Sequence, residues 1–86
     1  MKLFKLIVST PKGNVLEKDA VMLSVRGTEG SLAVMAGHIP FITATKAGEV
    51  KVKTEGEEIL AQASQGMLTV TKECVTLLCG SFEINE

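Results

Sequence analysis

The sequence predicts an all-β domain, and three observations lead to that prediction. Valine, isoleucine and threonine, which favour strands, supply 22 of the 86 residues. The eight glycines are scattered singly along the chain, as turns between short strands require. Apolar and polar residues alternate over short runs, which is the period of a half-buried strand. We expect one domain, residues 1–86, because dividing so short a chain would leave neither part a core.

Eight runs along the chain have the composition or alternation of strands. Phe4, Leu6 and Val8 share one face of the first run, and Val50 and Val52 alternate with charged residues in the clearest half-buried pattern. Turn residues such as Gly, Pro and Asn separate most of the runs. The predicted strands lie at 4–9, 21–25, 31–35, 41–45, 49–53, 57–64, 67–71 and 74–79.

One segment also permits a helix. Residues 57–63 are mostly good helix formers, but the flanking Gly56 and Gly66 leave fewer than the roughly 10 residues of a typical helix, which favours a strand. Short strands joined mostly by tight turns are typical of a sandwich or closed barrel rather than of β/α units. The sequence therefore predicts a flattened β-sandwich or barrel of about 8–10 short, mostly antiparallel strands.

Charge and hydropathy exclude several classes of protein. Nine Lys and Arg against ten Asp and Glu give a net charge of -1, which lacks the basic surface that nucleic acid requires. Residues 1–5 contain no signal-peptide core, and no apolar run approaches the roughly 20 residues of a membrane span, so we expect a cytosolic or peripheral protein. Cys74 and Cys79 fall on opposite faces of an extended segment, roughly 16 Å apart, and are expected to be reduced core residues.

The residue patterns of catalysis and of metal binding are missing. His38 is the only histidine and lies 36 positions from the nearest cysteine, so we predict no catalytic residue, metal or cofactor. The pair at 12–13 opens no helix and is not a phosphate loop, and the acidic residues of 55–58 are typical of a solvated hairpin tip. Three Phe without Trp or Tyr argue against a stacking platform. A scaffold or a protein-binding module remains.

Residues 29–44, EGSLAVMAGHIPFITA, include a Gly-His-x-Pro segment and resemble the ATP synthase epsilon chain family. Further segments similar to that family follow at the family's spacing: Thr10-Pro11, Gly48-Glu49-Val50, 65–70 and 75–78. The chain departs from the family where Gly, Pro, a small residue and an acidic residue are common, at Ala33, Ala36, Ile39 and Ser31 respectively.

The resemblance implies a flattened β-sandwich that acts as a non-catalytic part of the rotor. Such a domain binds the foot of the central-stalk gamma subunit and rests on the polar loops of the membrane c-ring, at the cytoplasmic face of a bacterial cell membrane. It thereby couples proton or sodium ion flow to ATP synthesis. The residues implied at the c-ring interface are Glu29, Gly30, Ser31, Gly37, His38, Pro40 and Phe41. The gamma interface is not assigned to residues.

Most of these residues also have a structural explanation. Backbone geometry, loop order or core packing would account for Gly30, Gly37, His38, Pro40 and Phe41. Glu29 and Ser31 are the strongest candidates for direct contacts, since polar side chains in a loop have less reason to serve packing.

Members of the family usually continue into a two-helix hairpin that restrains ATP hydrolysis. Because the sequence ends at 81–86, we expect this polypeptide to support coupling without inhibiting hydrolysis by helix insertion. The alternative, from a different class, is a free-standing β-sandwich adaptor or a small-ligand-binding module.

Overall fold

The computed structural model describes residues 2–37 and 39–85, which form ten β-strands and no helix. The strands are β1 (Phe4–Thr10), β2 (Gly13–Ala20), β3 (Met22–Gly27), β4 (Gly30–Met35), β5 (Phe41–Thr45), β6 (Gly48–Lys53), β7 (Glu58–Ala63), β8 (Gly66–Val70), β9 (Cys74–Cys79) and β10 (Phe82–Ile84). The prediction of an all-β fold is confirmed. The helical alternative for 57–63 is wrong, because these residues belong mainly to β7.

The strands pair as two groups of five. Sheet I has the order β4-β3-β6-β7-β10, and sheet II has the order β5-β8-β9-β1-β2. Among the described residues every pair is antiparallel except β1 with β9. A single pair, Gly27 with Thr45, connects the two sheets at β3 and β5. This arrangement is the predicted sandwich.

The hydrophobic core lies between the two sheets and draws on both. Sheet I contributes Leu23, Val34 and Val52, and sheet II contributes Leu6, Val8, Leu68, Val75 and Leu77, all fully buried. Each such side chain stabilises the fold by about 1.5–3 kcal/mol relative to exposure. The alternating apolar residues of β1 and β6 point into the core, as the sequence predicts.

The sequence pattern does not reveal two of the strands, the three-residue β10 and the longer β2. Strand β2 is the more informative case. It carries three consecutive charged residues at 17–19, and of its eight residues only Leu16 and Ala20 are buried. It lies at the edge of sheet II, where one side meets water, and its register with β1 shifts between Val8 and Ser9. A bulged edge strand needs no strict alternation, which explains why the pattern fails there.

The turns collect at two ends of the sandwich. Gly27 pairs with both Gly30 and Thr45, Thr45 pairs with Gly66, and Gly66 pairs with Cys79, so the turns after these residues share one end. We call it the tip end, and its turns lie at 10–13, 27–30, 45–48, 63–66 and 79–82. The opposite end holds the turns at 20–22, 35–41, 53–58 and 70–74.

Candidate partner-binding surfaces

The β3–β4 hairpin carries the first group of predicted contact residues at the tip end. Gly30 has φ +126°, a conformation that side chains rarely adopt, and it faces Gly27 across the hairpin. A Cβ at Gly27 would lie 3.0 Å from the carbonyl oxygen of Gly30. Glu29 and Ser31 are exposed beside this narrow turn. The glycines therefore shape the hairpin, and the two polar side chains are exposed to solvent at its tip.

The second predicted group lies in the connection from β4 to β5. Gly37 has φ +89°, and Ile39 and Pro40 are exposed, with Ile39 at 80%. Phe41 is half-buried and packs against the core, in line with its structural explanation. His38 lies outside the described residues. This connection thus presents one large apolar side chain, Ile39, to solvent.

The structure does not bring the two groups together. Gly30 begins β4, whereas Gly37 follows its end, so the two are separated by roughly 20 Å of extended chain. The hairpin lies at the tip end and the 37–41 turn at the opposite end. A sequence that runs continuously through both groups gave no sign of this separation.

Sheet II carries an apolar face on the side away from the core, formed by Ile42, Met67 and Leu78. These side chains are 66%, 46% and 47% exposed. Met67 pairs with Leu78, while the next residue of β8, Leu68, pairs with Leu77 on the buried side. The outer face of an antiparallel sheet is ordinarily polar when it meets only water. The apolar face is therefore a candidate for a docking surface.

A groove borders the apolar face at the tip end. Its walls are formed by residues 9–11, 65–67 and 78–80, and its volume is about 540 Å³. Gly66 lines this groove, and only glycine fits at that position because a Cβ there would overlap the carbonyl oxygen of Leu78. Met67 and Leu78 line the groove and also belong to the apolar face, so the two features form one continuous surface.

The apolar face was missed in the sequence, although a signal was present. In β8 and β9 apolar residues occur at both odd and even positions, as in Met67-Leu68 and Leu77-Leu78. Strands covered on both faces have this character. A search for one buried face in each strand overlooks the apolar residues on the other face, which the chain itself does not cover.

The described residues offer no cluster of metal-ligating side chains. Within residues 2–37 and 39–85 no three His, Cys, Asp or Glu side chains lie close enough to hold a metal ion. Glu55, Glu57 and Glu58 are exposed at the β6–β7 turn, as predicted, and Glu57 pairs with Lys18 at 3.1 Å. The described residues include no helix that could cross a membrane.

The two cysteines are free, but only one is a core residue. Cys79 is 7% exposed and belongs to the core, where burial raises the pKa of its thiol above 9.0. Cys74 is half-buried on the other face of β9, with its Sγ 3.9 Å from the hydroxyl of Thr76. The prediction that both lie in the core is wrong for Cys74, because its odd separation from Cys79 turns it outward.

These features define a class of protein: a β-sandwich with an exposed apolar face on one of its two sheets. Comparison with known families identifies which one. Residues 3–85 match the model of the ATP synthase Delta/Epsilon chain β-sandwich domain, and the chain belongs to that family. The resemblance noted in the sequence is thereby confirmed, as is the predicted sandwich.

Curated relatives carry the name of the epsilon chain. The chain is 40% identical over its 86 residues to the ATP synthase epsilon chain of Bacillus velezensis and spans 65% of that protein's length. It is 41% identical over 78 residues to the sodium-ion-specific ATP synthase epsilon chain of Propionigenium modestum, covering 91% of this chain and 57% of the relative. The chain therefore corresponds to about two thirds or less of these relatives.

Solved structures show the same fold at low sequence identity. A chain of the Euglena gracilis mitochondrial ATP synthase, in an OSCP/F1/c-ring structure, matches with a TM-score of 0.89 and 20% identity, over 95% of this chain and 53% of that one. A chain of the Tetrahymena thermophila mitochondrial ATP synthase, in a central stalk/c-ring structure, matches with a TM-score of 0.80 and 12% identity, over 94% of this chain and 66% of that one.

Proposed function

We propose that the chain is a non-catalytic subunit of the central stalk of an F-type ATP synthase. It bridges the gamma subunit and the c-ring at the cytoplasmic face of a bacterial membrane and helps couple proton or sodium ion flow to ATP synthesis. Family membership and the structural matches from c-ring assemblies support this role. A rotor part needs a rigid body with two contact surfaces, which a closely packed sandwich supplies without catalytic groups.

The observation that carries the proposal is the apolar face of sheet II. Three large side chains at 46–66% exposure, beside a groove of about 540 Å³, form the kind of surface that marks an interaction site. The occupant that we assign to it is the gamma subunit. A stable interface covers about 800 Å² of each partner, with an apolar centre and a polar rim, and this face offers that centre.

The c-ring contact is assigned to the tip of the β3–β4 hairpin. Glu29, Gly30 and Ser31 project from one end of the sandwich, so they can meet a flat ring of polar loops while sheet II remains free for gamma. His38 lies outside the described residues, and the turn that contains Gly37, Pro40 and Phe41 lies at the opposite end of β4. In this proposal it contacts the ring only if a ring loop reaches along β4, and otherwise it extends the surface available to gamma.

The test is retention of the chain by the gamma subunit and the c-ring from detergent-solubilised membranes. The unaltered chain should co-purify stoichiometrically with both. A Met67→Asp/Leu78→Asp variant should bind gamma at least about 100-fold more weakly, since a charge must then be buried at the centre of the interface. Ile84→Asp is the matched control, because Ile84 is 46% exposed but lies on sheet I.

The outcomes separate the two candidate functions. Loss of gamma binding in the double variant, with a control that binds normally, supports the rotor assignment. A chain that stays monomeric and recovers neither partner would contradict it and favour the adaptor. Glu29→Lys tests the tip separately: retention of the c-ring should fall about threefold to tenfold through lost charge complementarity, while gamma binding is unchanged.

A further inference from the structure

The outer face of sheet I contains a small polar cavity, on the opposite side of the sandwich from the apolar face of sheet II. Its volume is about 180 Å³, and it is lined by polar atoms far more than by apolar ones. Adjacent strands β3, β4 and β6 supply the lining residues, which are Ser24, Val25, Arg26, Ser31, Glu49 and Lys51. The space equals that of a few water molecules, which also suits one small oxyanion.

Strand register places the polar groups of the cavity on one face. Ser24 pairs with Lys51 on β6, and Arg26 pairs with Ser31 on β4. Leu23 and Val25 point into the core, so Ser24 and Arg26, which alternate with them along β3, point outward. Two cations and two hydroxyl groups therefore converge from three strands.

The two cations are not neutralised by an ion pair. Across the described part of the chain, the one ion pair within 4.0 Å joins Lys18 and Glu57, far from this cavity. Glu49 lines the same cavity, but its carboxylate lies beyond ion-pair distance from Arg26 and Lys51. With two positive charges and one negative charge, the cavity keeps a net charge of +1.

Gly48 provides room for the arginine. A Cβ at this position would lie 3.3 Å from both Cδ and Nε of Arg26, closer than most side-chain contacts allow. A backbone hydrogen bond also fixes the position of Arg26, because the N–H of Lys46 donates to the carbonyl oxygen of Arg26 at 2.8 Å. The arginine therefore rests against glycine backbone with its guanidinium at the cavity.

We propose that this cavity binds a phosphate ion. The guanidinium of Arg26 and the ammonium of Lys51 supply charge-assisted hydrogen bonds to the phosphate oxygens, and the hydroxyls of Ser24 and Ser31 donate the remaining ones. The site is shallow and Arg26 is exposed, so water and salt weaken the attraction and the dissociation constant is on the order of millimolar. The site lies on the other sheet from the apolar face, and it shares Ser31 with the proposed c-ring contact.

The test is a titration of the full chain with sodium phosphate at pH 7 and constant ionic strength, followed by backbone amide chemical shifts. The expected result is saturable shifts confined to β3, β4 and β6 around the cavity. Arg26→Gln should weaken binding about tenfold by removing a charged donor. Gly48→Ala should also weaken it by displacing the arginine, and Glu49→Gln should tighten it by removing the opposing carboxylate.

The matched control is Lys72→Gln, which removes one positive charge from an exposed turn at the opposite end of sheet II. It should leave the titration unchanged. Shifts that fail to saturate, that follow Lys72 as much as Arg26, or that respond equally to sodium chloride would overturn the proposal. A weakening by Arg26→Gln that Lys72→Gln does not reproduce would support it, since the two variants change the net charge of the chain equally.

Discussion

The two outer faces of the sandwich differ in chemistry although they cover the same core. The outer face of sheet I is mostly polar, with Ser24, Arg26, Ser31, Glu49 and Lys51 around a small cavity and Met35 exposed at the end of β4. Sheet II presents the apolar face of Ile42, Met67 and Leu78. Both sheets contribute their inner faces to the hydrophobic core, so packing of the core does not explain the difference between the outer faces. The packing of the core determines which residues a strand points inward. The surroundings of each sheet determine which residues it points outward.

The largest effect should separate Leu77 from its neighbour Leu78. Leu77 is 1% exposed between the sheets, and Leu78 is 47% exposed on the apolar face. Leu77→Ala should lower the free energy of unfolding by about 3 kcal/mol through lost burial and a residual cavity. Leu78→Ala should change it by no more than about 0.5 kcal/mol. Urea denaturation of both variants measures the difference.

An equal loss of stability in the two variants would break the comparison between the faces. It would place Leu78 in the chain's own core rather than on a surface for a partner. Small changes in the free energy of unfolding of both variants would mean that Leu77 does not pack between the sheets. That result would contradict the fold.

Much of this architecture is predictable from the sequence, and the exceptions have physical causes. Val50 and Val52 mark a half-buried strand because one side of β6 is wet. β2 escapes recognition because a bulged, charged edge strand does not alternate. The parallel pairing of β1 with β9 joins residues near the two ends of the chain, which no local pattern encodes.

The placement of the proposed contact residues was less predictable than the fold. A continuous motif over 29–44 suggests one surface. Strand β4 runs the length of the sandwich, however, so the beginning of the motif and the 37–41 turn lie at opposite ends. Met67 and Leu78 contribute to a surface assembled across strands, so no single segment announces it. Resemblance supplies the family and the fold, while the placement of the surfaces requires the strand register.

The next effect compares the two cysteines across the faces of β9. Burial raises the pKa of the Cys79 thiol above 9.0, so less thiolate forms at neutral pH. Cys79 should react with a maleimide about tenfold more slowly than the more exposed Cys74. Because the folded-state pKa is the higher one, the stabilising effect of the neutral thiol is complete below the ordinary thiol pKa and is lost as the pH rises through the raised value.

Mass spectrometry of the two labelled peptides measures the reactivity ratio, and Cys79→Ser provides the control for assignment. Equal labelling of both thiols would mean that the inner face of β9 opens to solvent. The distinction between an inner and an outer face of sheet II would then fail.

The smallest effect concerns the ion pair that joins β2 of sheet II to the β6–β7 turn of sheet I. Lys18 and Glu57 meet at 3.1 Å, but their side chains are 40% and 55% exposed. Lys18→Ala should therefore lower the free energy of unfolding by about 0.5 kcal/mol or less, and 1 M salt should remove the difference. A thermal melt of each variant at two salt concentrations measures it. A loss above about 2 kcal/mol would assign surface charge a stabilising role that this account denies.

The most direct test of the central claim is the rate of Met67 oxidation in the free chain and in the assembly with gamma and the c-ring. Met67 is 46% exposed in the middle of the apolar face. Dilute hydrogen peroxide, quantified by mass spectrometry with a methionine peptide as the dose standard, gives both rates. If sheet II binds gamma, the rate in the assembly should fall at least about tenfold, as expected for the desolvated centre of an interface. An unchanged rate in a fully assembled complex would contradict the claim.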